Sequence, residues 1–238
     1  MAEKKEHKIV QSEVETTADG KTITAAKPVG NSKALRIGAI ALWVLGLVFE
    51  ILAILVVVGK LSLKFMPTVW QLILFLVLDL VCVIIASQMW KKANHISPMS
   101  EKNKFLFWLW NNMGLIASIV CFAPIIIILL TNKDLDKKTK TIATVVAIIA
   151  LLIAGVASYD FNPVSKEQQE AAMNELGDQT VYWAPFGKVY HTHSDCGSLN
   201  QTDTLTSGTV EQAIAEGRTR ICHFCASKDS ITDLPSDE

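Results

Sequence analysis

Cysteine is scarce in this chain, five in 238 residues, and Cys82 and Cys121 lie inside long apolar runs where a thiol behaves as a small hydrophobe. The remaining three, Cys196, Cys222 and Cys225, are an odd set, which excludes a disulfide framework within the chain and points to reduced thiols. Lys and Arg are missing from the interiors of four apolar stretches, and this excludes an ordinary soluble core for the middle of the molecule. An apolar run close behind a short basic start is also missing. About thirty polar residues come first, so the first apolar span is expected to be retained and not cleaved as a secretory signal. The C-terminal part lacks a basic patch: residues 181 to 238 hold Lys188, Arg218, Arg220 and Lys228 against eight acids, which disfavours a nucleic-acid partner. No internal repeat is present.

What is there is unevenly distributed. Residues 1–34 carry Lys4, Lys5, Glu6 and Lys8 and then a Thr, Ala and Gly mixture without apolar periodicity, and read as a disordered cytoplasmic tail. Residues 35–160 read as a transmembrane domain of four helices, Leu35 to Val58, Pro67 to Trp90, Phe105 to Thr131 and Lys140 to Tyr159. Each is long enough at about 1.5 Å per residue to cross a hydrocarbon layer of roughly 30 Å. Trp70, Trp90, Trp108, Trp110 and Tyr159 fall near span ends, as expected of headgroup anchors, and Pro124 predicts a kink in the third span. Residues 161–180 read as a linker with a short helix, 181–228 as a metal-binding module and 229–238 as a second disordered tail. The fold class is thus an all-α membrane bundle of four transmembrane helices plus a small α+β zinc-stapled C-terminal module.

Basic residues near the spans set the orientation. Lys21, Lys27, Lys33, Arg36, Lys91, Lys92, Lys102, Lys104 and Lys166 lie on one side, nine in all. Lys60, Lys64, Lys133, Lys137, Lys138 and Lys140 lie on the other, six in all, so the first side and both termini are expected to be cytoplasmic in a multi-pass cell-membrane protein.

The module carries the most specific chemistry. Val181 to Trp183 and Val189 to His191 flank a Pro185-Phe186-Gly187-Lys188 turn and predict a β-hairpin. Thr209 and Gln212 predict a capping box opening a helix that Gly217 closes. A Cys222-x-x-Cys225 turn brings two thiolates to one ion, and Cys196 with a nearby histidine completes a tetrahedral set suited to Zn2+. His191 and His193 would point to opposite faces of a continuing strand, so one of them is the fourth ligand. His7 and His95 lie in polar segments and read as solvated, and His223 as pointing outward.

A module of some fifty residues has too small a core to stand alone, so a metal staple is what its size demands. Rival chemistries fail on named residues. A thioredoxin-like pair needs a βαβ setting, haem attachment needs His where Ala226 stands, and a nucleobase deaminase needs Glu after the first His-x. A fourth protein ligand also closes the position that catalysis keeps open for water, so no enzyme is expected.

The sequence Val189-Tyr190-His191, Cys196-Gly197-Ser198-Leu199, the Glu211 to Gly217 helix and Cys222-x-x-Cys225 resembles the small zinc-binding module appended to various bacterial membrane proteins and some nucleases. The resemblance covers about fifty residues and implies that His191, after the aromatic residue, is the first ligand, giving His191, Cys196, Cys222 and Cys225 as the metal set. The membrane half resembles bacterial multipass proteins. The resemblances imply little about activity; the chain reads as a binding or regulatory protein of the lipid bilayer whose module docks a protein partner or holds the protein's own cytoplasmic surface. The alternative is a small transporter or channel using Glu50 and Asp79, the two acids within the spans. As a merely structural pair those acids would be neutral, bonded to each other or to Asn111 and Asn112.

Overall fold

The computed structural model describes residues 14–16 and 21–236 of the chain. In chain order the elements are β1 (Val14–Thr16), β2 (Thr22–Ala25), α1 (Ser32–Val57), α2 (Thr68–Ile96), α3 (Lys104–Asn111), α4 (Met113–Thr131), α5 (Lys137–Ser158), α6 (Lys166–Leu176), β3 (Val181–Trp183), β4 (Val189–Tyr190), β5 (Thr204–Gly208), α7 (Val210–Ala215), β6 (Arg220–Ile221) and α8 (His223–Lys228). They divide into a helical unit, residues 30–167, and a strand-containing unit made of residues 1–29 and 168–238.

Four helices of the first unit, α1, α2, α4 and α5, are long and apolar enough to cross a membrane. Their starts follow from local chemistry. Asn31 accepts from the Lys33 and Ala34 backbone N–H groups and Asp136 from that of Thr139, each cap contributing about 1 kcal/mol. The central helix is α2, which packs against α1, α4 and α5 and buries Leu72, Leu76, Val83, Ala86 and Trp90. Small residues let α5 come close: Ala143, Ala147, Ala150 and Ala154 recur every three or four positions and are buried. The outer faces carry exposed Ile37, Val44, Ile51, Ile148, Leu152 and Val156. Such an apolar surface is stable against lipid and not against water.

The third span and Trp90 differ from the sequence expectation. The third span is not one helix kinked at Pro124 but two, α3 and α4, separated at Asn112, with Pro124 inside α4. The Asn111 and Asn112 side chains donate to the Phe107 and Trp108 carbonyls four residues back, and Asn112 has left the helical conformation (φ −106°, ψ 22°). Side-chain amides that compete for helical carbonyls favour such breaks. Trp90 is likewise no headgroup anchor. It is 4 % exposed, packs its ring between Trp43 and Trp110 at centroid distances of 5.3 and 5.1 Å, and donates to the Trp110 carbonyl.

The second unit has a four-stranded sheet in the order β1-β2-β5-β3 and a two-stranded sheet of β4 and β6. Its core is small: Trp183, Tyr190, Leu199, Leu205, Ile214 and Ile221 are its largest fully buried side chains. The predicted hairpin is reduced to one antiparallel rung, where Tyr182 and His191 exchange both backbone hydrogen bonds at 2.7 Å, because β4 turns away to pair in parallel with β6. The capping box at Thr209 and Gln212 is present.

Both expected tails need correction where the structure describes them. Thr22–Ala25 is a strand, in register with Thr204 to Ser207 of β5 and parallel to it, and Ile23 is buried. Residues 1–13 and 17–20, including His7, lie outside the described residues. At the other end Leu234 is buried and the Ile221 N–H donates to the Pro235 carbonyl at 3.1 Å; residues 237 and 238 lie outside the described residues.

Candidate metal centre

The two small sheets and one helix N-terminus bring four side chains to one point. His191 follows β4 and is held by its double backbone bond to Tyr182. Cys222 follows β6, and its N–H donates to the Tyr190 carbonyl at 2.9 Å, so the parallel β4–β6 pairing places it beside His191. Cys225 stands one turn into α8, whose start is fixed by the Ala226 N–H donating to the Cys222 carbonyl. Cys196 precedes the 3₁₀ turn Gly197–Leu199 and is fixed when its carbonyl accepts from Leu199 N–H.

The ligand atoms of His191, Cys196, Cys222 and Cys225 all lie within 4.8 Å of one another, and all four residues are buried. The Cys196 and Cys222 sulfurs are 3.9 Å apart, and the Cys225 sulfur is 3.8 Å from His191 Nδ1. A tetrahedral Zn2+ with Zn–S bonds of about 2.3 Å has S···S edges of about 3.8 Å. The donor set therefore fits a borderline-soft divalent ion, and Nδ1 is the imidazole nitrogen turned toward it. Burial pushes the Cys196 thiol up to about 11, with Cys225 and Cys222 adding to the rise. Three buried sulfurs can become thiolates together only beside a compensating cation, which makes this cluster one that could hold a metal ion.

His193 is placed elsewhere. Its Nε2 is 2.7 Å from Asp229 Oδ1, while Thr192 Oγ donates to Asp229 Oδ2. The Thr192 hydroxyl, followed by His193, holds the Asp229 carboxyl below the usual range. Asp229 thus ties the strand end before Cys196 to the end of α8. Sequence reasoning assigned Asp229 to a tail, and its position four residues after Cys225 is the signal that was there to find. Arg218 also emerges only from the structure. It donates to the carbonyls of Glu216, Ala184 and Pro185 and so fastens the Pro185-Phe186 turn to the end of α7. His223 is exposed, as its place between the cysteines suggests. His95 is not solvated but lies 3.1 Å from Asp160 Oδ2 in the helical unit.

The two membrane acids are fully enclosed, Glu50 at 4 % and Asp79 at 0 % exposure. The expected bonds to each other or to Asn111 and Asn112 are not formed. Glu50 Oε1 and both Asp79 oxygens have no well-formed hydrogen bond, their nearest donors being the Cys121 thiol for Asp79 and the Ile125 backbone for Glu50, and the two asparagines bond within their own stretch, to Asn94 and to the Asp160 N–H.

No family model, no curated protein and no solved structure matches the chain.

Proposed function

We propose that this chain is an integral membrane protein whose C-terminal module is closed on a structural Zn2+ held by His191, Cys196, Cys222 and Cys225, and that it acts as a binding or regulatory protein and not as an enzyme. The observation that carries the reading is the convergence of four buried ligand atoms within 4.8 Å. Four protein ligands leave no position for substrate or activated water, so the ion's contribution is to hold the fold. Zinc is favoured over other ions by the one-imidazole, three-thiolate set.

The module faces the cytoplasm in this reading, with both termini on that side. Nine basic residues against six support it. The parallel pairing of β2, before the first span, with β5, after the last, supports an even number of crossings. A bacterial setting is supported by the resemblance of the module to those appended to bacterial membrane proteins.

A protein partner is favoured by two side chains of the module: Phe186 is 100 % exposed at the hairpin tip and Phe224 66 % exposed between the cysteines. Exposed aromatics on a rigid, metal-held frame are the residues that anchor interfaces. A second reading, a small transporter or channel, draws on the unpartnered oxygens of Glu50 and Asp79.

The test is cross-linking of the full-length protein in its native membrane, followed by capture, with the wild type, Cys222→Ser and Phe186→Ser. A partner recovered with the wild type and lost with both variants supports the reading. One recovered equally with all three removes the module from the binding role.

A further inference from the structure

Glu50 on α1 and Asp79 on α2 lie within electrostatic range of each other across the packed α1–α2 pair. A Cβ at Gly46, one turn before Glu50, would lie 2.6 Å from Asp79 Oδ1, so the missing side chain at position 46 is what admits the Asp79 carboxyl. The Cys121 thiol of α4 is within hydrogen-bonding reach of Asp79 and the Ile125 backbone of α4 within that of Glu50, while Cys82 of α2 lies within electrostatic range of Asp79. The fourth helix brings no charge: α5 has none between Thr141 and Ser158. The cations at the ends of these helices are engaged elsewhere. Arg36 donates to the Ser97 carbonyl and Asn94, Lys91 to the Ala157 carbonyl and Lys140 to the Asn132 carbonyl.

The acids also stand apart from the other polar groups buried in this unit. Gln71, Ser87, Asn94, Asn111, Asn112 and Ser118 are all hydrogen bonded to backbone or to one another. Besides the acids, Arg36 Nε, Trp43 Nε1 and Thr144 Oγ1 are the buried side-chain atoms of the four long helices without a partner among the described residues, and none of the three is an ionisable acid. Buried groups with a purely structural role are satisfied, and an exception calls for a ligand or a function.

Two ionised carboxylates without cations are not stable side by side in a hydrocarbon-bound bundle, so the pair must hold a proton or a metal ion. Among the described residues, the one group of three or more His, Cys, Asp or Glu atoms that converge to metal-binding distance is the His191 cluster, so Glu50 and Asp79 with their two cysteines do not form such a set. A proton requires only one oxygen.

We propose that Glu50 and Asp79 form a proton-binding site inside the membrane domain, holding at least one proton at neutral pH and exchanging it with the aqueous phase. The inference is independent of the zinc module and deepens the transporter reading by naming the ion.

Infrared spectroscopy of the full-length protein in lipid vesicles reads this directly, through the carbonyl stretch of a protonated carboxyl. The wild type is expected to show that band at neutral pH, with a shift in D2O and a loss of intensity as pH rises. Glu50→Gln and Asp79→Asn should each reduce or displace it, and the double variant should lack it. Labelling aspartate or glutamate carboxyls with carbon-13 assigns the band without any substitution, so a variant that fails to fold leaves the test intact. Absence of the band at neutral pH, or a band that neither shifts in D2O nor responds to pH, overturns the proposal.

Discussion

At the scale of single residues, the two histidines make opposite predictions. His191 Nδ1 faces the Cys225 sulfur at 3.8 Å, whereas His193 is bound to Asp229 on the partly exposed side. His191→Ala is expected to lower zinc affinity by more than tenfold, and His193→Ala to leave the metal in place and cost at most about 1 kcal/mol, the ceiling for an accessible ion pair. Competition with a chromogenic chelator checks both. Acidity acts through the same atoms. Binding requires the thiols and the imidazole to give up protons, so apparent affinity falls as pH falls, and zinc should be released in acid before the membrane helices unfold. Asp229 adds in the same direction: its carboxyl is depressed in the folded state, so its contribution is present above the ordinary carboxylate range and lost as pH drops through it. A pH titration following metal release beside helical circular dichroism separates the two events.

At the scale of elements, the strand-containing unit depends on a segment far away in the sequence. Gly208 ends β5 where three groups crowd in: a Cβ there would lie 2.7 Å from the Ala26 Cβ and 3.1 Å from the Trp183 ring, with Gln212 Oε1 closer still. Gly208→Ala should therefore destabilise this unit by about 1–3 kcal/mol, the usual cost of overpacking, with the four long helices unaffected. Hydrogen exchange over β3 and β5 compared with α2 measures this. The same contact explains what was not legible in the sequence. Thr22–Ala25 has only the three-residue Val14–Thr16 as a local partner, and its other pairing strand lies at Thr204–Gly208, so no short-range alternation of apolar and polar residues announces it. The Cys-x-x-Cys turn, the capping box at Thr209 and the four apolar runs were legible, because each is a local pattern with a fixed period or spacing. Asn112 was missed as a break because apolar residues continue on both sides of it, and hydropathy does not register a side chain that bonds its own helix.

At the scale of the whole molecule, the chain joins a bundle with lipid-facing apolar sides to a small unit whose buried side chains are few. The four long helices are apolar enough to cross a bilayer, and the proposed metal staple answers the small size of the other unit's core, a point composition alone raises. The orientation argument belongs here too. Reporters fused after residue 236 that are active only in the cytoplasm should be active, and those in the α1–α2 or α4–α5 connections should not. The reverse pattern would put the three thiols in an oxidising compartment and undo the case for a reduced metal site.

The central claim is that the folded chain holds one zinc ion. Metal content of the full-length protein, purified in lipid nanodiscs under reducing conditions and read by elemental analysis, tests it most directly. One zinc per chain is predicted for the wild type and none for Cys222→Ser, with β3 and β5 losing protection from hydrogen exchange in the variant, since metal binding and folding of so small a core are one equilibrium. A wild type without metal, whose β3 and β5 amides are nonetheless protected, would contradict the account.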